Sequence, residues 1–106
     1  MKFLFLICVD PDLPADGTAE EIEAWVDLAG TARRDGGPLH PARTATTIRK
    51  RDGRVSATDG PFATTKEVIA GFDLIDCETR EAALEIAAAH PVARFGAIEV
   101  RQLVDD

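Results

Sequence analysis

The sequence predicts an α+β fold of the ferredoxin-like kind, in which an antiparallel sheet carries both helices on one face in the order β-α-β-β-α-β. Three observations predict this fold. Residues 3–9 form a short, wholly apolar run; two amphipathic segments follow the capping residues Thr18 and Thr79; and Asp52-Gly53 separates two strand-like segments. With 106 residues and 45% apolar content, the chain is expected to form a single domain over residues 1–106.

The first helix is predicted over residues 18–34. Thr18 and Glu21 form a capping box, and the apolar residues that follow them recur at helical spacing. Gly36-Gly37 is expected to end the helix, because glycine readily adopts the backbone conformation of a helix C-terminus. Gly30 lies inside the predicted helix, where it costs about 1 kcal/mol relative to alanine, so we expect it to allow close packing against the sheet.

The remaining elements are predicted from turn signals and from periodicity. Asp52-Gly53 predicts a two-residue hairpin turn that places Ile48 opposite Ala57 and Lys50 opposite Val55. The predicted strands cover residues 44–50, 55–58, 71–76 and 97–103, the second helix covers about 79–89, and a short extended piece lies near 38–40.

The first strand is apolar on both of its faces, with Phe3 and Phe5 on one face and Leu4 and Leu6 on the other. A sheet that is covered by helices on one side only should alternate between apolar and polar residues. A chain of this length has no spare element that could form a second covering layer. We therefore expect a homodimer in which two sheets pack face to face through one of these two pairs of residues.

The face covered by the second copy is expected to enclose a partly polar cavity. Asp73, Glu99 and Arg101 lie on the less apolar strands and are the expected ligand-binding residues there, because a few charged groups in an apolar wall are typical of a small-molecule site. The alternative is that Glu99 and Arg101 are solvated or form salt bridges of structural value.

Composition and motifs argue against several classes of function. The chain has 19 acidic and 12 basic residues and a net charge of −7, without an evident basic stripe, which argues against nucleic acid and anionic membranes as partners. Its longest apolar run is far shorter than the ~20 residues of a membrane-spanning helix and lacks a secretory cleavage site, so we expect a cytoplasmic protein. Cys8 and Cys77 are widely separated in apolar surroundings, and no nucleotide-binding, hydrolase or metal-ligand motif occurs. We expect no metal and no cofactor.

The sharpest local feature is the tetrapeptide Asp59-Gly60-Pro61-Phe62. The Asp59 carboxylate either accepts backbone N–H bonds within its own turn or points into the cavity as a general base. We expect it to do both in part, with one oxygen bonded to the backbone near residues 62–64 and the other facing Glu99 and Arg101. Phe62 is expected to be an anchor of the core or of an interface.

Three further side chains are candidates for proton transfer or ligand binding. His40 is a proton shuttle or an idle loop residue. His90 precedes Pro91 at the end of the second helix, where a protonated imidazole would favour the helix dipole, and a role in proton transfer is the alternative. Lys66 either pairs with Glu67 at the surface or binds an anionic group of a substrate at the cavity mouth.

Residues 55–67, read as VSATDGPFATTKE, together with GFDLID at residues 71–76, resemble the DGPF group of YCII-related proteins. The similarity continues through residues 88–91 and 96–101 and includes the opening strand; Gln102 stands where proline is common. The resemblance implies a dimeric α+β barrel. In related YCII proteins a His–Asp pair is proposed to act in the dimer cavity, with the histidine on the first helix. Asp59 matches the DGPF turn, but the first helix of this chain has no histidine, which leaves His40 or His90 as its partner.

Two hypotheses of function follow. The first is a cofactor-independent enzyme that transfers a proton on a small polar or acidic organic compound, with Asp59 as base, Lys66 or Arg101 binding the negative group, and Glu99 orienting them. The second is a non-catalytic ligand-binding or regulatory module, which the resemblance links to alternative sigma factors as partners. Haem or metal handling ranks last, because the sequence offers no credible ligand pair.

Overall fold

The computed structural model describes residues 1–105; Asp106, the last residue of the predicted domain, lies outside the described residues. Within residues 1–105 the chain forms six strands and two α-helices, joined in places by short 3₁₀ turns. Their bounds are β1 Lys2–Val9, α1 Ala19–Ala29, β2 Arg33–Pro38, β3 Thr46–Arg51, β4 Arg54–Asp59, β5 Val68–Asp76, α2 Arg80–Ala88 and β6 Ala97–Gln102. None of the helices in residues 1–105 is long and apolar enough to cross a membrane.

Four strands form one antiparallel sheet in the order β2-β5-β1-β6. With β3 and β4 set aside, this is the strand order of a ferredoxin-like fold, in which each β-α-β unit places its strands apart and the other unit fills the gap. β3 and β4 pair only with each other, as a two-stranded hairpin inserted between β2 and β5. The predicted fold class is therefore confirmed, and so is the predicted hairpin register of Ile48 with Ala57 and Lys50 with Val55.

The core lies between the helices and one face of the sheet. Phe3 and Phe5 of β1 are at most 1% exposed and face the helices, whereas Leu4 and Leu6 lie half-buried on the opposite face. Trp25 of α1 packs against Phe5, with ring centroids 6.5 Å apart. Its indole N–H donates a 2.8 Å hydrogen bond to the carbonyl of Ile86 in α2, which links the two helices on the same face of the sheet. We call the two faces of the sheet the helix side and the open side.

Helix α1 ends six residues before the predicted double glycine, at Gly30, whose φ of +56° is unfavourable for other residues. No atom lies within 4 Å of a Cβ placed on Gly30, so its role is to end the helix and not to allow close packing. The prediction that the helix continues to residue 34 is wrong. Because the chain leaves the helix early, Arg33 lies in β2, and its side chain reaches the helix side of the sheet.

Candidate functional site

A cavity of about 530 Å³ lies between α1 and the sheet. We call it the helix-side pocket. Most of its wall is apolar, and its charged or titratable lining residues are Glu23, Arg33, Asp73 and His90. The apolar part of the wall is made by residues of β1, α1, β2, β5 and the turn after α2: Ile7, Ala19, Ile22, Trp25, Val26, Gly37, Pro38, Ala70, Gly71 and Val92. An apolar wall with a few polar groups is the usual form of a small-molecule site.

Asp73 lies in the middle of β5 on the helix side, directly opposite Phe5, and its side chain is only 8% exposed. Arg33 from the neighbouring strand donates from Nε to Oδ1 of Asp73 at 2.8 Å. Burial raises the pKa of the Asp73 carboxyl, and the nearby guanidinium opposes that rise only in part. Asp73 is therefore a buried carboxylate that is more basic than a surface aspartate.

The backbone of β2 makes room for this ion pair by means of Gly36. A Cβ placed on Gly36 would lie 2.2 Å from Oδ1 of Asp73 and 2.6 Å from the carbonyl oxygen of Phe72. Its φ of +152° also lies in a region that other residues rarely adopt. One glycine of the predicted helix-ending pair thus serves instead as the point of close approach between β2 and the buried Asp73.

His90 follows α2 and is 5% exposed. Its Nδ1 accepts a 3.0 Å hydrogen bond from the backbone N–H of Val92, which caps the 3₁₀ turn Pro91–Arg94. A ring nitrogen that accepts a hydrogen bond carries no proton, so in the neutral ring the proton sits on Nε2. Its ring also contacts Trp25, with centroids 4.5 Å apart.

Burial lowers the pKa of His90. The predicted protonated imidazole that favours the dipole of α2 is thus wrong, because the ring is buried and its Nδ1 faces a donor. Nε2 makes no hydrogen bond within residues 1–105, and no buried side-chain nitrogen or oxygen in those residues lacks a partner. The Nε2–H group therefore reaches accessible space, and His90 lines the helix-side pocket.

The second cavity, of about 390 Å³, lies on the open side, and we call it the open-side pocket. Among its lining residues are Lys66, Glu67 and Glu99. Lys66 does not pair with Glu67 as one alternative predicted; its Nζ lies 3.5 Å from Oδ2 of the buried Asp10, which follows β1. Burial, with the charges of Glu99 and Glu67, raises the pKa of the Cys8 thiol in this pocket, so Cys8 is a poor nucleophile there.

The predicted ligand-binding residues Asp73, Glu99 and Arg101 do not share one cavity. Asp73 is opposite Phe5 and faces the helices, whereas Glu99 is opposite Leu6 and Arg101 opposite Leu4, on the open side. Within β6, Nε of Arg101 and Oε2 of Glu99 lie 2.5 Å apart in an exposed salt bridge, as the structural alternative predicted.

Asp59 is the exposed last residue of β4, and its side chain makes no hydrogen bond or ion pair within residues 1–105. The expected bonds to the backbone near residues 62–64 are not formed. The turn is stabilised instead by Gly60, whose N–H donates to Ala45 and whose carbonyl accepts from the hydroxyl of Thr47. His40 is exposed, and neither His40 nor Asp59 lines either of the two cavities.

Phe62 is 79% exposed and contacts the guanidinium of Arg49, whose Cζ lies 5.6 Å from the ring centroid. The core alternative for Phe62 is therefore wrong, and an interface role stays a prediction. No group of three or more His, Cys, Asp or Glu side chains that could hold a metal ion is present in residues 1–105.

Sequence reasoning missed the contacts of three residues, two of which line the helix-side pocket. Arg33 was assigned to the end of a helix, and its partnership with Asp73 depends on where α1 ends. Trp25 was assigned to the core stripe, which is correct, but its contact with His90 depends on tertiary packing. Asp10 lines neither cavity but pairs with Lys66 of the open-side pocket, and its position directly after a buried strand is the one local signal that could have singled it out.

Comparison with known proteins gives the following matches. The family model described as the YCII-related domain matches residues 1–105. An uncharacterised protein of Rhizobium meliloti (strain 1021) is 44% identical over 69 residues, which cover 61% of this chain and 54% of that protein. The match thus spans about half the length of this curated relative.

Among solved structures, the chain resembles 5-chloro-2-hydroxyhydroquinone dehydrochlorinase (TftG) from Burkholderia phenoliruptrix AC1100 in complex with 2,5-dihydroxybenzoquinone. The TM-score is 0.59, with 16% sequence identity, and the alignment covers 100% of this chain and 96% of that chain. At this level of identity the likeness concerns the fold.

Proposed function

This chain belongs to the YCII-related domain family, and we propose from that premise that it is an enzyme that transfers a proton on a small organic compound bound in the helix-side pocket. One observation supports this above all. A buried carboxylate, Asp73, and a buried neutral imidazole, His90, with a free Nε2–H line the same largely apolar cavity. Perturbed titratable groups that meet in one cavity are typical of active sites.

Asp73 and His90 have complementary roles in the proposed reaction. Asp73 removes a proton from a tetrahedral ligand carbon beside a carbonyl group, such as the CH₂ group of the keto tautomer of a hydroxyquinone. The electron pair of the broken C–H bond moves onto the carbonyl oxygen, so that an enolate forms and Asp73 becomes protonated. The Nε2–H group of His90 donates a hydrogen bond to that oxygen and stabilises its growing negative charge. A carboxylate base combined with a neutral imidazole donor is an established arrangement for forming enols and enolates. Arg33 orients Asp73 through the Nε bond and keeps a positive charge beside it.

The cavity suits a small, planar compound that has both an apolar body and an acidic hydroxyl or carbonyl group. Trp25 and the aliphatic wall would contact the body, while Arg33 and His90 would contact the oxygens. The dehydrochlorinase that shares this fold is named for a hydroxyhydroquinone and was solved with 2,5-dihydroxybenzoquinone. Hydroxylated rings of that kind are therefore the first compounds to test.

The test uses 2,5-dihydroxybenzoquinone in deuterated buffer, with proton NMR following both its binding and the exchange of its ring protons. We expect the wild-type protein to accelerate the exchange. Asp73→Asn should retain binding and lose the acceleration, because an amide cannot act as a base. His40→Asn is the matched control, since His40 lines neither cavity and should be replaceable without effect.

Binding without any accelerated exchange would favour the second candidate function, a ligand-binding or regulatory module. A partly apolar pocket can bind a ligand without catalysing a reaction, which supports this alternative. A partner linked to a sigma factor is a further proposal under it. The variant Asp59→Asn tests whether the carboxylate of the DGPF turn is the base, as the sequence predicts. Loss of exchange in Asp59→Asn, with full exchange in Asp73→Asn, would return the site to the turn and contradict our assignment.

The homodimer is a second part of the proposal. Leu4, Leu6, Phe72 and Leu74 form an apolar strip on the open side, and no element of residues 1–105 covers it. A second copy packed on this strip should bury more than ~1,000 Å² in total, the size of a stable contact. Analytical ultracentrifugation that finds only monomer at micromolar concentration would contradict it.

A further inference from the structure

The charge of the chain is strongly segregated. Residues 43–54 contain five of the 12 basic residues and a single acidic one, so this segment carries +4 while the other 94 residues together carry −11. The basic residues are Arg43, Arg49, Lys50, Arg51 and Arg54. Four of them lie on the β3–β4 hairpin, which we call the arm. The expectation that the chain has no basic stripe does not hold for the arm.

The arm extends away from the body of the molecule. It forms its own two-stranded sheet and shares no strand pairing with the main sheet. The radius of gyration is 15.6 Å, against about 13 Å for a compact chain of this length. Every residue of β4 is exposed. An isolated two-stranded hairpin is marginally stable in water, so an arm of this kind gains most from a surface on which it can pack.

The two sides of the arm differ in chemistry. The hairpin register places Ile48, Val55 and Ala57 on one side together with Lys50 and Asp59, and the side chains of Ile48 and Val55 are 61% and 66% exposed. The other side carries Arg49, Arg51 and Arg54, and Arg49 contacts the exposed ring of Phe62. The arm thus presents one side with exposed apolar residues and one side with three arginines.

The tip of the arm places two like charges directly opposite each other. Arg51 pairs with Arg54 across the Asp52-Gly53 turn, and like charges in that position destabilise a hairpin. Within residues 1–105, none of the four cations of the arm lies within 4.0 Å of a carboxylate. The arm is therefore electrostatically unfavourable by itself and would be stabilised by an acidic surface.

We propose that the arm docks on a second copy of this chain, with its basic side, which carries Arg49, Arg51 and Arg54, on the partner's acidic surface. Charge complementarity supports this choice, because the arm, residues 46–59, carries +2 while the rest of the chain carries −9. In a two-fold dimer each copy supplies one arm and one acidic surface, so the contact is self-complementary. Nucleic acid is the less favourable occupant, since the acidic body would repel the phosphates on either side of the arm.

Arg51→Glu is the decisive variant, because it should stabilise the arm while it weakens the docking of the arm on the partner. The new carboxylate would lie opposite Arg54 and stabilise the hairpin, so weaker association could not be attributed to unfolding of the arm. We expect the dimer dissociation constant to rise on the order of tenfold or more, with a weaker dependence on salt. Arg80→Glu changes the net charge equally on an exposed residue of α2 and should leave the dissociation constant unchanged.

Sedimentation velocity over a concentration series at low and moderate salt measures these constants. A dimer that is equally strong in wild type and Arg51→Glu would overturn the proposal while leaving the open-side interface intact. An equal loss in Arg51→Glu and Arg80→Glu would also overturn it, since net charge alone would then explain the effect. Wild-type binding of a fluorescent oligonucleotide that is lost in Arg51→Glu, without any change in dimerisation, would assign the arm to nucleic acid instead.

Discussion

Replacing His90 by asparagine tests the protonation state on which the proposed chemistry depends. The amide of the new side chain would retain an oxygen that accepts the N–H of Val92, since asparagine is a favourable N-cap residue, so the 3₁₀ turn after α2 should keep its cap. The variant loses the titratable ring and its contact with Trp25. The loss of that contact lowers the unfolding free energy by about 0.5–1.5 kcal/mol at every pH, whereas the loss of titration alters its pH dependence.

The size of the pH effect follows from the direction of the His90 pKa shift. Burial depresses the pKa in the folded protein below the ordinary value of 6.5. Below pH 6.5 the unfolded chain binds a proton at His90 that the folded chain does not. His90 therefore contributes stability above pH 6.5, and this stability is lost as the pH falls. Between about pH 7.5 and about pH 5.5, one such group can lower the unfolding free energy by at most about 1.4 kcal/mol.

Urea unfolding of wild type, His90→Asn and His40→Asn at both pH values provides the assay. We expect the wild type and His40→Asn to lose stability in parallel, because His40 is exposed and lines neither cavity. His90→Asn should lose less, by up to the same ~1.4 kcal/mol. The reasoning is refuted if all three proteins show the same change in unfolding free energy, since His90 would then titrate alike in the folded and unfolded chains.

Two further predictions concern the packing around the helix-side pocket. Gly36→Ala should lower the unfolding free energy by about 1–3 kcal/mol, because its Cβ would lie 2.2 Å from Oδ1 of Asp73. Gly37→Ala should lower it much less, because no atom lies within 4 Å of a Cβ at that position. Urea midpoints compare the two variants, and equal losses of stability would contradict the clash. Trp25→Phe should lower the unfolding free energy by about 1–3 kcal/mol, because the carbonyl of Ile86 loses the indole N–H that donates to it at 2.8 Å. Thermal unfolding measures this loss. An unchanged midpoint would show that water replaces the indole as donor.

Local signals predicted most elements of the fold, with the exception of β2, because these elements carry their own signals. The capping box at Thr18, the cap at Thr79 and the turn at Asp52-Gly53 each depend on residues close together in sequence, and all three are present in the structure. The end of α1 was missed because two glycine signals competed. Gly30 adopts the positive φ that ends the helix, while Gly36 is required by the close approach of β5, whose pairing with residues 33–38 the sequence does not reveal.

The candidate site was predicted only in part, because it is assembled from distant segments. Asp73 and His90 were both chosen from the sequence, but for a cavity on the open side and for a helix cap, respectively. The strand register decides which face Asp73 takes, and the end of α1 decides whether Arg33 can reach it. Neither has a local signature. Asp59 drew attention because its turn motif is conspicuous, although its carboxylate lies exposed at the end of a hairpin.

The ion pair of Arg33 and Asp73 has a high cost if its only role is structural. Burying the Asp73 carboxylate costs several kcal/mol before its attraction to the partly exposed Arg33 compensates, and apolar residues of similar volume often stabilise a protein equally well. Here the pair also requires a glycine with an unusual backbone at position 36. Its position on the wall of an apolar cavity, in which His90 holds a neutral ring with a free Nε2–H, gives these costs a chemical reason. A carboxylate kept basic by burial and fixed in place by a guanidinium can accept a proton from a bound ligand, which an apolar residue at that position could not do.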